Sequence, residues 1–269
     1  MASTLNAMDI LRILPKTNCR GCRELTCLVF AVSVLQGRKK LGECPYVTKE
    51  VIEQFGSKEP DARNSGNELR ESIDALKHKV SSMNYRDVAY RTGAEFVNDT
   101  LIVKVFGKDF RIDKDVNLSS DIHMHPWIVI PILNYLLNCS GMALTGKWTP
   151  FRQLRDGMAW DGLFQQRCEK PLKKIIDEHK DFFEIMAQIF NAREVENDFD
   201  SDISIVLTPL VKLPILIRYW KPDDRFESNV NIFFDSSAQD NLDLDSVYAL
   251  AAGLVRMFEK IAETHGEVR

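Results

Sequence analysis

Four cysteines near the start of the chain constrain it more than any other feature. Cys19, Cys22, Cys27 and Cys44 are spaced C-x2-C-x4-C-x16-C within Leu14–Tyr46, LPKTNCRGCRELTCLVFAVSVLQGRKKLGECPY. Two thiols three apart, a third five residues on and a fourth returning from beyond a helix can converge on one point. Such a set suits a 4Fe–4S cubane and also a structural zinc. Zinc frameworks usually come as two close pairs, and the second half here carries no pair, so the spacing favours the cluster. Zinc or a disulfide pair is the alternative. Thr26 is placed to N-cap a helix that begins at Cys27 and runs through Leu35 to a stop at Gly37. Cys27 would then sit where the positive end of the helix dipole favours a thiolate.

Pro15 precedes the first cysteine and Pro45 follows the last, and bacterial ferredoxin motifs likewise end in Cys-Pro. The run Leu14-Pro15-Lys16-Thr17-Asn18-Cys19, the Thr26-Cys27 helix start and Cys44-Pro45 resemble the N-terminal 4Fe–4S domain of the large subunit of corrinoid iron–sulfur proteins. That family serves acetyl-CoA synthase and related methyl-transfer systems. Leu25 departs from the family, standing where it usually has proline before Thr-Cys. The resemblance implies a 4Fe–4S cluster on Cys19, Cys22, Cys27 and Cys44 and low-potential electron delivery in anaerobic one-carbon metabolism. Keeping a corrinoid cobalt reduced is one such task, and the partner would be a corrinoid-linked redox protein.

The rest of the chain is that of a soluble globular protein. At 269 residues, 45% hydrophobic and 28% charged, it can bury a sizeable core in one large or two unequal domains. No apolar run is long enough to span a membrane, and the start of the chain lacks a secretory pattern. A cytoplasmic, reducing setting is therefore expected, in which thiolates outlast disulfides. The net charge of −4 is uneven, since residues 1–60 hold nine Lys or Arg against six Asp or Glu. Lys16, Arg20, Arg23, Arg38, Lys39 and Lys40 all fall in the cysteine stretch. They could raise a cluster's potential or dock an acidic partner or a phosphate-bearing cofactor; a solvated charged face is the plain alternative. Nucleic-acid binding is not expected, because no sustained basic stripe with interleaved aromatics is present.

The pattern divides into a cluster-binding domain over 1–55, a polar linker over 56–67 and a larger domain over 68–269. The fold class is α+β: a small helical domain, then a mixed one. Short helices are expected over 8–14 and 47–55. Leu69, Ile73, Leu76 and Val80 mark an amphipathic helix. Thr100–Phe106 and Phe110–Ile112 read as a hairpin, and Trp127–Leu137 as a buried helix. A loop is expected over 146–157, and a helix opening at Pro171 with the stripe Leu172, Ile176, His179, Phe183, Met186 and Phe190. Strands follow at 203–207, 215–220 and 230–234, then a final helix over 245–262. Gly146–Arg152, Leu213-Pro214-Ile215 with Tyr219-Trp220, and Phe233-Phe234-Asp235 resemble an uncharacterised domain family, often fused behind a four-cysteine iron–sulfur domain in anaerobes. That resemblance implies a fold and no activity.

Other residues qualify as sites more weakly. His123 and His125 could share a face and meet a metal, a corrinoid or a haem iron; solvated or helix-capping histidines are the plainer reading. His179 on its apolar stripe is more simply a core histidine than a ligand or acid–base group. Cys139 and Cys168 read as buried fillers, with thiolate contact to a second cofactor as the alternative. Asp223, Asp224 and Glu227 suit a polar turn before a cation site, and Trp148, Phe151 and Trp160 suit core anchors before a cofactor pocket. The leading reading is an electron-transfer protein. One alternative is a redox enzyme whose large domain binds a second cofactor, such as a corrinoid, or a substrate. Another is an interaction module around a structural metal.

Overall fold

The structure is a computed structural model that describes residues 7–35, 39–56, 62–122, 124–179, 181–195 and 201–266. It divides into two units, Met1–Ser72 and Ile73–Arg269.

The first unit contains helices α1 (Ala7–Ile13), α2 (Cys27–Leu35) and α3 (Lys49–Gly56), with a single 3-10 turn at Leu41–Glu43. Helix α2 is apolar almost throughout, so its sequence alone selects no face. Phe30, Ala31 and Val34 are buried, whereas Leu28 and Val29 are exposed. Ile10, Leu14, Phe30, Ala31, Val34 and Leu41 form a small core that also takes in Cys22, Cys27 and Cys44. A core this small is typical of scaffolds that need a staple such as a metal. Helix α4 (Ala62–Ser81) follows, so residues 62–67 of the expected linker are helical; 57–61 lie outside the described residues.

The second unit is built on an antiparallel sheet. After α5 (Tyr85–Thr92) come β1 (Glu95–Val97), β2 (Thr100–Val105), β3 (Lys108–Ile112) and β4 (Leu118–Ser120). The β2–β3 hairpin turns at Phe106 and Gly107, both at positive φ (49° and 76°), the two-residue turn whose twist matches paired strands. Next are α6 (Pro126–Asn138), β5 (Trp148–Pro150), α7 (Asp161–Phe164), α8 (Lys170–Glu178), α9 (Phe182–Phe190) and β6 (Arg193–Glu194). The chain closes with β7 (Ile203–Leu210), β8 (Leu213–Trp220), β9 (Asn229–Asp235), α10 (Ala238–Asn241) and α11 (Leu244–Gly266). The strand order is β4-β3-β2-β7-β8-β9-β5, with β1 on β2 and β6 on β7.

Alternation along the long strands selects the core face. Ile205 and Leu207, Ile215, Ile217 and Tyr219, and Val230, Ile232 and Phe234 join one core with Ile132 and Leu136 of α6 and Leu250, Leu254 and Phe258 of α11. Gly253 lets α11 lie against α6, since a β-carbon there would stand 3.2 Å from the Trp127 carbonyl oxygen. No helix among the described residues is long and apolar enough to cross a membrane.

Three expectations are corrected. The loop expected over 146–157 contains strand β5, with Thr149 opposite Phe234. The helix expected to open at Pro171 starts at Asp161 and passes through a π turn at Gln165–Glu169. Within that turn the Lys170 N–H reaches the Gln165 carbonyl, and the widened winding precedes a proline that would otherwise clash with the turn before it. Finally, α8 ends at Glu178, and His179 is its extended C-cap (φ −122°, ψ 100°) rather than part of a continuous apolar stripe. Asp181 starts the next helix, its carbonyl accepting from the Ile185 N–H at 3.0 Å.

Candidate metal centre

The cysteine stretch is wound by local chemistry into a tight loop. The Thr26 hydroxyl accepts from the Val29 N–H at 3.1 Å, capping α2 at Cys27 as its sequence requires. The Asn18 side-chain oxygen accepts from the Cys27 N–H at 2.8 Å, tying the loop's entry to the helix start. Lys16, Asn18, Arg20 and Arg23 all take positive φ, between 50° and 62°. Each such non-glycine residue costs roughly 1 kcal/mol or more. Left-handed residues set between others of ordinary backbone can turn neighbouring N–H groups toward a common concavity, a device found at anion and iron–sulfur sites.

The cysteines are unequally placed. Cys22, Cys27 and Cys44 are buried in the small core, and Cys19 is exposed. The Gly21 N–H points at the Cys19 sulfur at 3.5 Å. A β-carbon at Gly21 would stand 3.5 Å from that sulfur and 2.9 Å from Cγ of Pro45, so the first cysteine and the proline after the last one border the same small space. Among the described residues, no three Cys, His, Asp or Glu side chains are grouped as around a single ion. Four thiols, three of them buried in one small core, are a donor set that fits an iron–sulfur cluster.

Lys16, Arg20 and Arg23 are exposed around the loop, and exposed Leu25, Leu28, Val29 and Tyr46 follow them in sequence. Lys39 pairs with Glu43 at 2.9 Å, and the Lys40 N–H donates to the same carboxylate. These two bonds hold Glu43 below the usual carboxylate range. Gly37 and Arg38 lie outside the described residues.

Several of the weaker candidates have structural partners of their own. His123 lies outside the described residues. His125 caps α6, its Nδ1 accepting from the Trp127 N–H at 3.3 Å. Cys139 is buried, its thiol 3.5 Å from the Arg91 carbonyl and the Asn241 side-chain oxygen. Cys168 is fully buried inside the π turn, and burial, then the neighbouring Glu169 charge, pushes its thiol far up. It is no thiolate. Asp223 closes a polar turn, accepting from the Arg225 and Phe226 N–H groups. Phe151 stacks on Phe164 at 4.2 Å, and Trp160 packs on Tyr248.

The family model "Putative Fe-S cluster" matches residues 14–46, which hold all four cysteines. A second model, Domain of unknown function (DUF3786), matches residues 84–257, well over half of the chain. The chain belongs to the DUF3786 family. Among curated relatives, this DUF3786 protein is 29% identical over 102 residues to the acetyl-CoA decarbonylase/synthase complex subunit gamma of Methanocaldococcus jannaschii, covering 38% of this chain and 20% of that one. It is 43% identical over 44 residues to the corrinoid/iron-sulfur protein large subunit of Moorella thermoacetica, covering 16% of this chain and 10% of that one. The matched stretch thus spans a fifth or less of these relatives' length. No solved structure matches.

Two polar centres of the DUF3786 part carry no motif that spacing could have revealed. Asp235, at the end of β9, accepts from the N–H and hydroxyl of Thr145, the N–H of Gly146, and the N–H and hydroxyl of Ser237, all between 2.7 and 3.0 Å. Two of the family's recognisable runs, Gly146–Arg152 and Phe233-Phe234-Asp235, are joined through this carboxylate. Asp177 of α8 accepts from Tyr219 at 2.9 Å, Ser228 at 2.7 Å and Lys173 at 3.1 Å, beside a cavity of about 700 Å3 that His179 and Phe183 also line. Burial, then the Asp177 hydrogen bond and charge, push the Tyr219 phenol up to about 12.

Proposed function

We propose that Cys19, Cys22, Cys27 and Cys44 hold a 4Fe–4S cluster, and that the protein delivers low-potential electrons to a corrinoid-linked redox partner in the cytoplasm. Residues 1–55 would form the cluster module and the DUF3786 part would serve the acceptor. The observation that carries this reading is the placement of three thiols in one small core, with the exposed Cys19 closing on Pro45 across Gly21. Relatives named as a corrinoid/iron-sulfur protein and as an acetyl-CoA decarbonylase/synthase subunit, matched over this region, support it.

A bound cubane supplies one-electron transfer. The chain supplies the setting. The Gly21 N–H donates toward the Cys19 sulfur, and such bonds raise a cluster's potential. Lys16, Arg20 and Arg23 add positive charge near the thiolates and would steer an acidic partner. Cys19, as the exposed ligand, gives the shortest way out for an electron, and the exposed Leu25 and Tyr46 offer apolar contact beside the loop.

The test is purification without oxygen, followed by metal and sulfide analysis and by visible and paramagnetic-resonance spectra with and without dithionite. About four irons and four sulfides per chain, absorbance near 400 nm that bleaches on reduction, and a reduced-state signal are expected. One zinc and no iron would overturn the reading.

A further inference from the structure

The start of α6 and one face of α11 flank an open cavity of about 400 Å3, within the range of small-molecule sites. His125, Trp127 and Ile128 line it from α6, and Gly253, Arg256, Met257 and Lys260 from α11. The α11 positions fall at i, i+3, i+4 and i+7, one face of a helix. Gly253 permits the close approach that puts Trp127 beside this face.

The lining has a definite chemistry. Trp127 is half-buried, Ile128 buried and Met257 half-buried, so the walls offer a ring, an aliphatic chain and a thioether. Every ionisable group on the walls is basic and none is acidic. Among the described residues Arg256 has no hydrogen-bond or ion-pair partner. His125 already caps its helix through Nδ1, and Lys260 has an interaction of its own, which leaves Arg256 as the cation with donors to spare. A guanidinium presents paired N–H groups that match a carboxylate or phosphate edge. An apolar wall next to it strengthens the attraction by keeping water away.

We infer that this cavity binds a small organic anion, with a flat, largely apolar body against Trp127, Ile128 and Met257 and its acidic group on Arg256. A neutral molecule of the same shape gains the walls and misses the guanidinium. A small inorganic anion gains the guanidinium and leaves the walls wet. Both should bind more weakly than an anion that has both parts.

Two dyes of nearly the same shape separate these terms: 8-anilinonaphthalene-1-sulfonate and its neutral parent, N-phenyl-1-naphthylamine. Titrated by fluorescence into the intact chain, the sulfonate should bind once per chain, about tenfold more tightly than the parent. Arg256→Gln should erase that difference by weakening the sulfonate alone. Met257→Trp, which fills the cavity, should weaken both. Arg256 is exposed, so its replacement leaves the fold intact, which near-ultraviolet circular dichroism verifies. Equal affinity for the two dyes, a sulfonate affinity unchanged in Arg256→Gln, or no saturable binding would each overturn the inference.

Discussion

Gly21 and Pro45 lie so close that only a hydrogen fits between them: a β-carbon on Gly21 would stand 2.9 Å from Cγ of the proline ring. The ring cannot swing aside as a flexible side chain would, so Gly21→Ala must push apart the two ends of the cysteine motif. The variant is expected to hold at most half the iron of the parent when both are reconstituted alike. The melting transition of residues 73–269 should not move. Iron analysis beside calorimetry checks both halves of the expectation.

Six cysteines should fall into two classes. Replacing Cys19, Cys22, Cys27 or Cys44 with alanine should abolish the bleachable absorbance, whereas Cys139→Ser and Cys168→Ala should retain it. Native Cys168, buried and with its thiol pushed up, should resist iodoacetamide at pH 8 for as long as the chain stays folded. Mass spectrometry of the alkylated peptides distinguishes this from a reactive thiol. Cys168→Ala should cost about 1–2 kcal/mol through lost packing alone.

Arg91 finishes helix α6. Its guanidinium donates to the carbonyls of Cys139 at 2.6 Å, Leu136, and Leu137 at 3.3 Å, groups that the end of a helix leaves without partners. Arg91→Met is expected to destabilise this part of the chain by about 2–3 kcal/mol, the value of charged hydrogen bonds left unmade. Arg91→Lys should recover less than half, because one ammonium cannot copy the fork that spans three carbonyls. Urea denaturation of the three proteins measures the order.

Asp235 makes the fold sensitive to acid. Burial raises its affinity for a proton, but hydrogen bonds from Ser237 and Thr145 outweigh that and hold the carboxyl below its ordinary value. A carboxylate depressed in the folded state adds stability that is fully present above the unfolded value of about 4. That stability is lost as the pH falls through the folded value. Asp235→Asn should therefore cost about 3 kcal/mol at pH 7 and progressively less as the pH falls below about 4. Denaturation midpoints measured from pH 7 to pH 3 would show the two proteins drawing together; a constant gap would refute the assignment.

Local pattern carried much of this architecture. Strands β7 and β8 read as near-continuous apolar runs, β9 alternates polar and apolar residues over Asn229–Ile232, the hairpin at Phe106-Gly107 has its glycine, and α11 keeps a clear apolar stripe. Helix α5 escaped notice although Asn84 caps it and Gly93, at φ 73°, ends it; both signals are local and readable. Strand β5 had no such signal. Trp148–Pro150 is extended because it pairs with Phe233–Asp235, a partner far along the chain. Pro171 misled because proline ordinarily opens a helix, whereas a π turn lets this one sit inside a longer run. At the cysteine stretch the spacing sufficed to mark out the region that the iron–sulfur family model matches, residues 14–46. The five donors on Asp235 remained hidden because most come from a loop some ninety residues upstream.

The left-handed residues Lys16, Asn18, Arg20 and Arg23 carry a consequence for how such a protein is made. Their conformational cost is a deficit that the few side chains of the core among the described residues must offset. On the four-cysteine reading, metal loading makes up that deficit and so becomes the folding step of this unit. A newly made chain starved of iron would carry a frayed head that cellular proteases recognise as damage. Iron supply would then govern how many copies survive, and not merely how many can pass an electron.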